Sequence, residues 1–179
     1  MSNLSKSLQK SREEAQRILQ RANRKEGQAT DVHAIAEMLG LDVKELSIPD
    51  SSVSGFLRNE DDAPEIVVNK DHSEERQRFT IAHEIGHFVL HASSPLYLDD
   101  VHTAQPAFFR DAESSRATKI SEIEANQFAA ELLMPNGEIA EQARSLSNAG
   151  AALEDELVGR LAKQYKVSFT AMAIRLGTF

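Results

Sequence analysis

Arg78-Phe79-Thr80-Ile81-Ala82-His83-Glu84-Ile85-Gly86-His87-Phe88-Val89-Leu90-His91 is the stretch on which the reading of this chain turns. It contains His-Glu-x-x-His at His83, Glu84 and His87. Residues four apart on a helix lie about 40° from one another around the axis, so both imidazoles face one way and can hold a single metal ion. Glu84 is one step round from His83, close enough to reach a metal-bound water without being a ligand. Two neutral nitrogen donors, an open coordination position and an adjacent carboxylate base are what zinc-assisted hydrolysis needs. Phe79, Ala82, Ile85, Gly86, Val89 and Leu90 predict a mostly buried helix, in which two His and a Glu are costly without a partner. A metal is the simplest partner, and two ordinary surface histidines do not suit that setting. Gly86 leaves room for another backbone or a substrate to come close.

Outward from that helix, the composition sets the class. The chain has 179 residues, 41% apolar and 27% charged, which fits one soluble domain with a real core rather than a disordered or membrane protein. The net charge of −8 argues against general nucleic-acid binding, and no direct nucleic-acid contact is expected. The absence of Cys excludes a disulfide scaffold, a thiolate metal site and a thiol nucleophile. The first twenty residues lack a signal-peptide core, and no apolar run is long enough to span a bilayer. A cytoplasmic protein with no membrane partner is the expectation.

Leu4 to Arg24 reads as a helix with Leu8, Ala15, Ile18, Leu19 and Ala22 on one stripe, a basic solvated face, and an end at Gly27. Thr30 or Asp31 caps a short helix from Val32 to Leu39, stopped by Gly40, with His33 off its core stripe. Segments at Leu41–Ile48, Val53–Leu57 and Glu65–Asn69 predict a small antiparallel sheet, with Asn59 to Pro64 as a hairpin loop. Asp71 or Ser73 caps the motif helix, which runs to His91. Ala92 to about Ile120 reads as a long turn-rich connection, a candidate lid or substrate strand, with one strand at Ala107–Arg110. Ser121 to Met134 is helical up to Pro135. Helices follow over Gly137–Leu146, Leu153–Tyr165 and Phe169–Leu176, the last capped by Ser168 and ended by Gly177.

A catalytic zinc wants a third protein ligand. The metzincin position is Ser93 and there is no Cys, so a Glu on the following helix remains. Glu122, Glu124 and Glu131 all lie there, and spacing alone does not rank them. Glu124 has the smaller and more apolar neighbours, whereas Glu122 suits a capping or dipole role near the helix start. His91 continues the histidine column two turns from His83, as a substrate or neighbouring contact or as a partner for the last carbonyls. His72 and His102 have no helical partner and read as solvent-facing, although His102 falls in the long connection. Tyr97, His102 and Arg110 are weak candidates for an oxyanion donor or a substrate contact.

Arg78–Phe88, followed by Glu122-Ile123-Glu124-Ala125-Asn126-Gln127-Phe128-Ala129-Ala130-Glu131-Leu132-Leu133-Met134-Pro135, resembles the ImmA/IrrE family of metallopeptidases. Ile66–Asn69, Phe109-Arg110-Asp111 and Leu161–Ser168 add to a resemblance that covers about Asp31 to Leu176. It implies a gluzincin-like zinc site in which His83, His87 and Glu124 are ligands and Glu84 is the catalytic base. It also implies a bacterial or phage regulatory protease that cuts a helix-turn-helix repressor of the Xre type. Longer relatives carry sensor domains that this chain is expected to lack.

The expected fold is α+β: a mostly helical, zincin-like peptidase core with a small sheet before the motif helix and a C-terminal helical element. Its expected segments are an N-terminal helix (1–28), the metallopeptidase core (29–136) and a C-terminal extension (137–179). The expected activity is zinc-dependent endopeptidase cleavage of a repressor encoded nearby, with an extended substrate pairing along the sheet edge. Manganese and iron also suit the His/Glu set. The alternative is a zinc-stabilised protein that sequesters the repressor without cutting it.

Overall fold

The amphipathic start of the chain forms α1 (Asn3–Arg21), which buries Ala15 and Ile18 and leaves Arg12, Arg17 and Arg21 in solvent. It stops at Arg21, and the chain turns away at Asn23 rather than at Gly27. Asn23 takes a left-handed conformation with φ 48°, and the Arg24 N–H reaches back to the Leu19 carbonyl at 3.4 Å. That is a Schellman-type ending, which asparagine tolerates better than most residues. α2 (Val32–Met38) starts at Asp31, whose carboxylate accepts from the Ala34 N–H at 3.0 Å. The computed structural model of the protein describes residues 3–60, 63–91, 112–148 and 154–177.

Three strands follow: β1 (Asp42–Leu46), β2 (Gly55–Glu60) and β3 (Ala63–Asn69), in the order β1-β3-β2. β2 pairs antiparallel with β3, placing Phe56 opposite Val67 and Leu57 opposite Ile66. β1 pairs parallel with β3, from Asp42 opposite Glu65 to Leu46 opposite Asn69. The sheet is therefore mixed, which corrects the antiparallel expectation. Ile66, Val67 and Val68 are all buried, so β3 takes the central place where both faces are covered, and the mostly exposed β1 takes an edge. Two chain reversals separate β1 from β3, so pairing them directly is parallel. The β2–β3 ladder continues to Glu60 opposite Ala63, turning most of the expected Asn59–Pro64 loop into strand.

The remaining elements are α3 (Glu74–His91), α4 (Ala112–Leu133), α5 (Asn136–Asn148), α6 (Glu154–Tyr165) and α7 (Phe169–Leu176). α4 begins at Ala112 rather than at Ser121. Ser114, Ser115 and Thr118 are weak helix formers, at a cost of only about half a kcal/mol each. Extending a helix already anchored by Ala125, Phe128, Ala129 and Leu132 is cooperative and outweighs that cost. The expected strand at Ala107–Arg110 lies outside the described residues.

α3 packs on β2 and β3 and on α4, and α4 packs in turn on α1. At Gly55, the first residue of β2, a Cβ would meet Thr80 Cγ2 of α3 at 2.6 Å, so the strand lies directly on the helix. One apolar cluster joins Ala15 and Ile18 to Ile81, Ile85, Phe128, Leu132, Ile139, Leu161 and Met172. It draws on all three of the expected segments. Two carboxylates reinforce it. Glu138 accepts from Arg24 at 2.8 Å, from the Tyr165 hydroxyl at 2.6 Å and from the Gly27 N–H. Glu131, fully buried, accepts from Gln16 at 2.9 Å, from the Asn136 N–H at 3.3 Å and from Arg175. Among the described residues no helix is long and apolar enough to cross a membrane.

Candidate metal centre

The site is built on the seam between α3 and α4. Ser73 caps α3, its hydroxyl accepting from the Arg76 N–H at 3.3 Å, and Glu74 and Glu75 favour the helix start. From there the helix carries Ile81, Ala82 and Ile85 into the core, which obliges Glu84 and His87 to be buried with them. Gly86 lets α4 come close: a Cβ there would lie 3.2 Å from Ala125 Cα and 3.1 Å from Phe128 Cδ1. No other residue type permits that separation without strain, so the glycine between the two His sets the depth of the seam.

Across the seam, three donors converge. His83 Nε2 and His87 Nε2 are 3.0 Å apart. Glu122 places Oε2 at 3.3 Å from His83 Nε2 and Oε1 at 3.1 Å from His87 Nε2. One ligand atom from each of the three residues lies within 4.8 Å of the other two. Asn126 Oδ1 lies 3.1 Å from His83 Nδ1. An amide oxygen only accepts, so Nδ1 carries the proton and the lone pair of the neutral ring is on Nε2, toward His87 and Glu122. A tetrahedral zinc with bonds of about 2.0–2.1 Å spaces two ligand nitrogens by about 3.3 Å, close to the separation seen. Two imidazoles and one carboxylate are also the donor set of an open, catalytic zinc site. The residues fit a divalent cation.

The charges agree. Burial pulls the His83 imidazole down, but the carboxylates of Glu122 and Glu84 outweigh it and leave its pKa raised. The His83 and His87 rings, each within 3.3 Å of its oxygens, hold the Glu122 carboxyl far below the usual range. Glu122 is thus kept as an anion.

Glu124 stands elsewhere. The resemblance implied it as the third ligand, but its Oε2 lies 3.3 Å from His91 Nε2, and Glu122 occupies the place beside His83 and His87. The reason is helical geometry. Measured from Ala125, which faces Gly86, Glu122 is about 60° round α4 on the flank of His83 and His87, and Glu124 is about 100° round the other way. Burial raises the Glu124 carboxyl, partly offset by the charge of Lys10. Glu131, the other carboxylate weighed from sequence, belongs to the buried contacts with Arg175 and Gln16. His33 is exposed, 3.9 Å from Glu45. His72 is half-buried rather than solvent-facing, because its Nε2 bonds the Ser51 carbonyl at 3.0 Å and closes the β1–β2 connection. Tyr97, His102 and Arg110 lie outside the described residues. Sequence reasoning missed Asn126 altogether. Its signal was the i, i+4 relation to Glu122, which puts both on one flank of α4.

Known proteins resemble the chain in the same region. The profile of the IrrE N-terminal-like domain family matches residues 36–177. The radiation response metalloprotease IrrE of Deinococcus radiodurans is 39% identical over 103 residues, 58% of this chain. The match spans 27% of that relative's length, about a quarter of it. With a family match that runs from α2 to the end of α7 and takes in both helices of the candidate metal centre, the chain belongs to the IrrE N-terminal-like domain family of metallopeptidases.

Proposed function

We propose that the protein is a zinc-dependent endopeptidase with His83, His87 and Glu122 as metal ligands and Glu84 as the base. The observation that carries this reading is the convergence of both imidazole Nε2 atoms and one carboxylate on a single point. A zinc ion held there supplies Lewis acidity, making a water acidic near neutral pH and polarising a carbonyl. Glu84 follows His83 on α3 and is 7% exposed, so its carboxylate acts where bulk water is largely excluded. It takes the proton of the attacking water and returns it to the departing amine. Asn126 holds the His83 ring in the tautomer that leaves Nε2 open. β2 lies on α3 and is an edge of the sheet, so an extended peptide paired along it would run past the site.

The substrate we propose is a helix-turn-helix repressor encoded beside this chain. The named metalloprotease relative and the family resemblance support a protein substrate, and the repressor is the finer step. Glu84→Gln tests the reading, because it removes the base and spares the three donors. The variant should bind zinc and the repressor as the parent protein does and release no cleavage fragment. If the repressor is still inactivated in cells by Glu84→Gln, the protein works by sequestration and the protease assignment fails.

A further inference from the structure

His91 and Glu124 take no part in the cation site, yet they meet on the same seam. The His91 ring centroid lies 5.8 Å from that of His87, one turn further along the histidine column. The 3.3 Å contact of His91 Nε2 with Glu124 Oε2 is largely enclosed, each side chain being only 14% exposed. It joins the last turn of α3 to Glu124, which lies about 160° round α4 from Glu122. On the other flank, Glu122 and Asn126 hold His83 and His87. Gly86 lies against Ala125 and Phe128 at the close approach of the two helices. A backbone-to-backbone contact of that kind fixes distance better than rotation. Glu122 and Glu124 project from opposite sides of α4 to one column of histidines, so turning α4 about its axis would break the Glu124 contact and move Glu122 away from the imidazoles together.

We propose that His91 and Glu124 are positioning residues for the metal centre: their contact fixes the rotation of α4 about its own axis and so keeps Glu122 on both His83 and His87. This rests on the reading of those three residues as the cation site. It gives a role to the carboxylate that the sequence motif put forward as a ligand, and a role different from ligation. Nothing in the pair touches a reacting group, so the expected effect is on metal affinity through geometry.

The test is zinc affinity of the full chain, by competition with a chromophoric chelator, together with the visible spectrum of the cobalt-substituted protein. His91→Leu and Glu124→Ala should each weaken zinc by about tenfold, as loss of a supporting contact typically does. The double variant should be no weaker than either single, since one contact is removed in all three. His91→Gln keeps a polar side chain able to meet Glu124 and should stay within about twofold of the parent protein. The cobalt spectrum should keep its four-coordinate intensity throughout, because the donors are unchanged. Should His91→Leu fail to fold, Glu124→Ala removes the same contact from the α4 side and carries the comparison. Affinities within twofold for His91→Leu and Glu124→Ala, or losses that multiply in the double variant, overturn the proposal while leaving the metal site intact. It is overturned equally if Glu124→Ala abolishes zinc binding and Glu122→Ala does not, since Glu124 is then a ligand. A parent protein that binds no zinc is a different result and removes the metal-site reading along with the proposal.

Discussion

Gly86→Ala probes the depth of the seam on which the centre depends. The added methyl would sit 3.1 Å from Phe128 Cδ1 and 3.2 Å from Ala125 Cα and Ala125 O. Non-bonded carbons rest at about 3.5–4.0 Å, so the shortfall is roughly 0.3–0.5 Å or more. Phe128 can tilt, but the other two atoms are α4 backbone, and the helices must part. Overpacking of this kind costs about 1–3 kcal/mol, against a helix-propensity gain of about 1 kcal/mol for alanine over glycine. The expected net change is a destabilisation of about 0–2 kcal/mol in the metal-free protein. Metal sites tolerate bond-length errors of only about 0.2 Å, so parting the helices should weaken zinc by at least about tenfold. Gly159→Ala in α6 is the control, since a Cβ there meets nothing within 4 Å and only the propensity gain remains. Urea unfolding with chelator present gives the first quantity and chelator competition the second. If Gly86→Ala behaves as Gly159→Ala does, stabilised and with zinc affinity unchanged, the close helix approach does not set the site.

Asn126→Leu removes the acceptor that fixes the His83 tautomer and should weaken zinc by about 10–100-fold with secondary structure intact, measured by the same competition. Arg175→Met strands the fully buried Glu131, and should cost about 3–5 kcal/mol in urea unfolding; a cost under about 1 kcal/mol would mean that Gln16 and the Asn136 N–H suffice. The pH dependence of the metal-free protein has a defined sign. The depressed Glu122 carboxyl contributes stability above its unfolded value, about 4.3, and loses it as pH falls through its folded value. The raised His83 imidazole contributes below about 6.5 and loses it as pH rises through its folded value. The stability difference between the parent protein and Glu122→Gln should therefore be greatest at about pH 5–6, and a difference that is flat from acid to alkaline pH contradicts the pairing.

The motif helix was legible because its polar residues conflict with their surroundings. His83, Glu84 and His87 sit among Ile81, Ala82 and Ile85, all buried, and only a shared partner relieves that conflict. The ends of α2 and α7 were legible because Asp31 and Ser168 cap by local chemistry. The sheet order was not. Hairpin signals are local, whereas β1 lies parallel to β3 because Ile66–Val68 need cover on both faces. Which carboxylate stands beside His83 and His87 was not legible for a similar reason. Glu122 and Glu124 are two residues apart, and which one faces the histidines depends on how α4 is turned against Gly86. That rotation is fixed by contacts between residues far apart in the chain, none of which leaves a periodic trace.

The proposed chemistry depends on one divalent cation held by His83, His87 and Glu122. Anomalous diffraction at the zinc edge, from crystals of the zinc-loaded protein, tests it most directly. A single strong peak is expected at about 2.0–2.2 Å from both Nε2 atoms and from a Glu122 carboxylate oxygen. A peak between His91 and Glu124, or none on the α3–α4 seam, would contradict it.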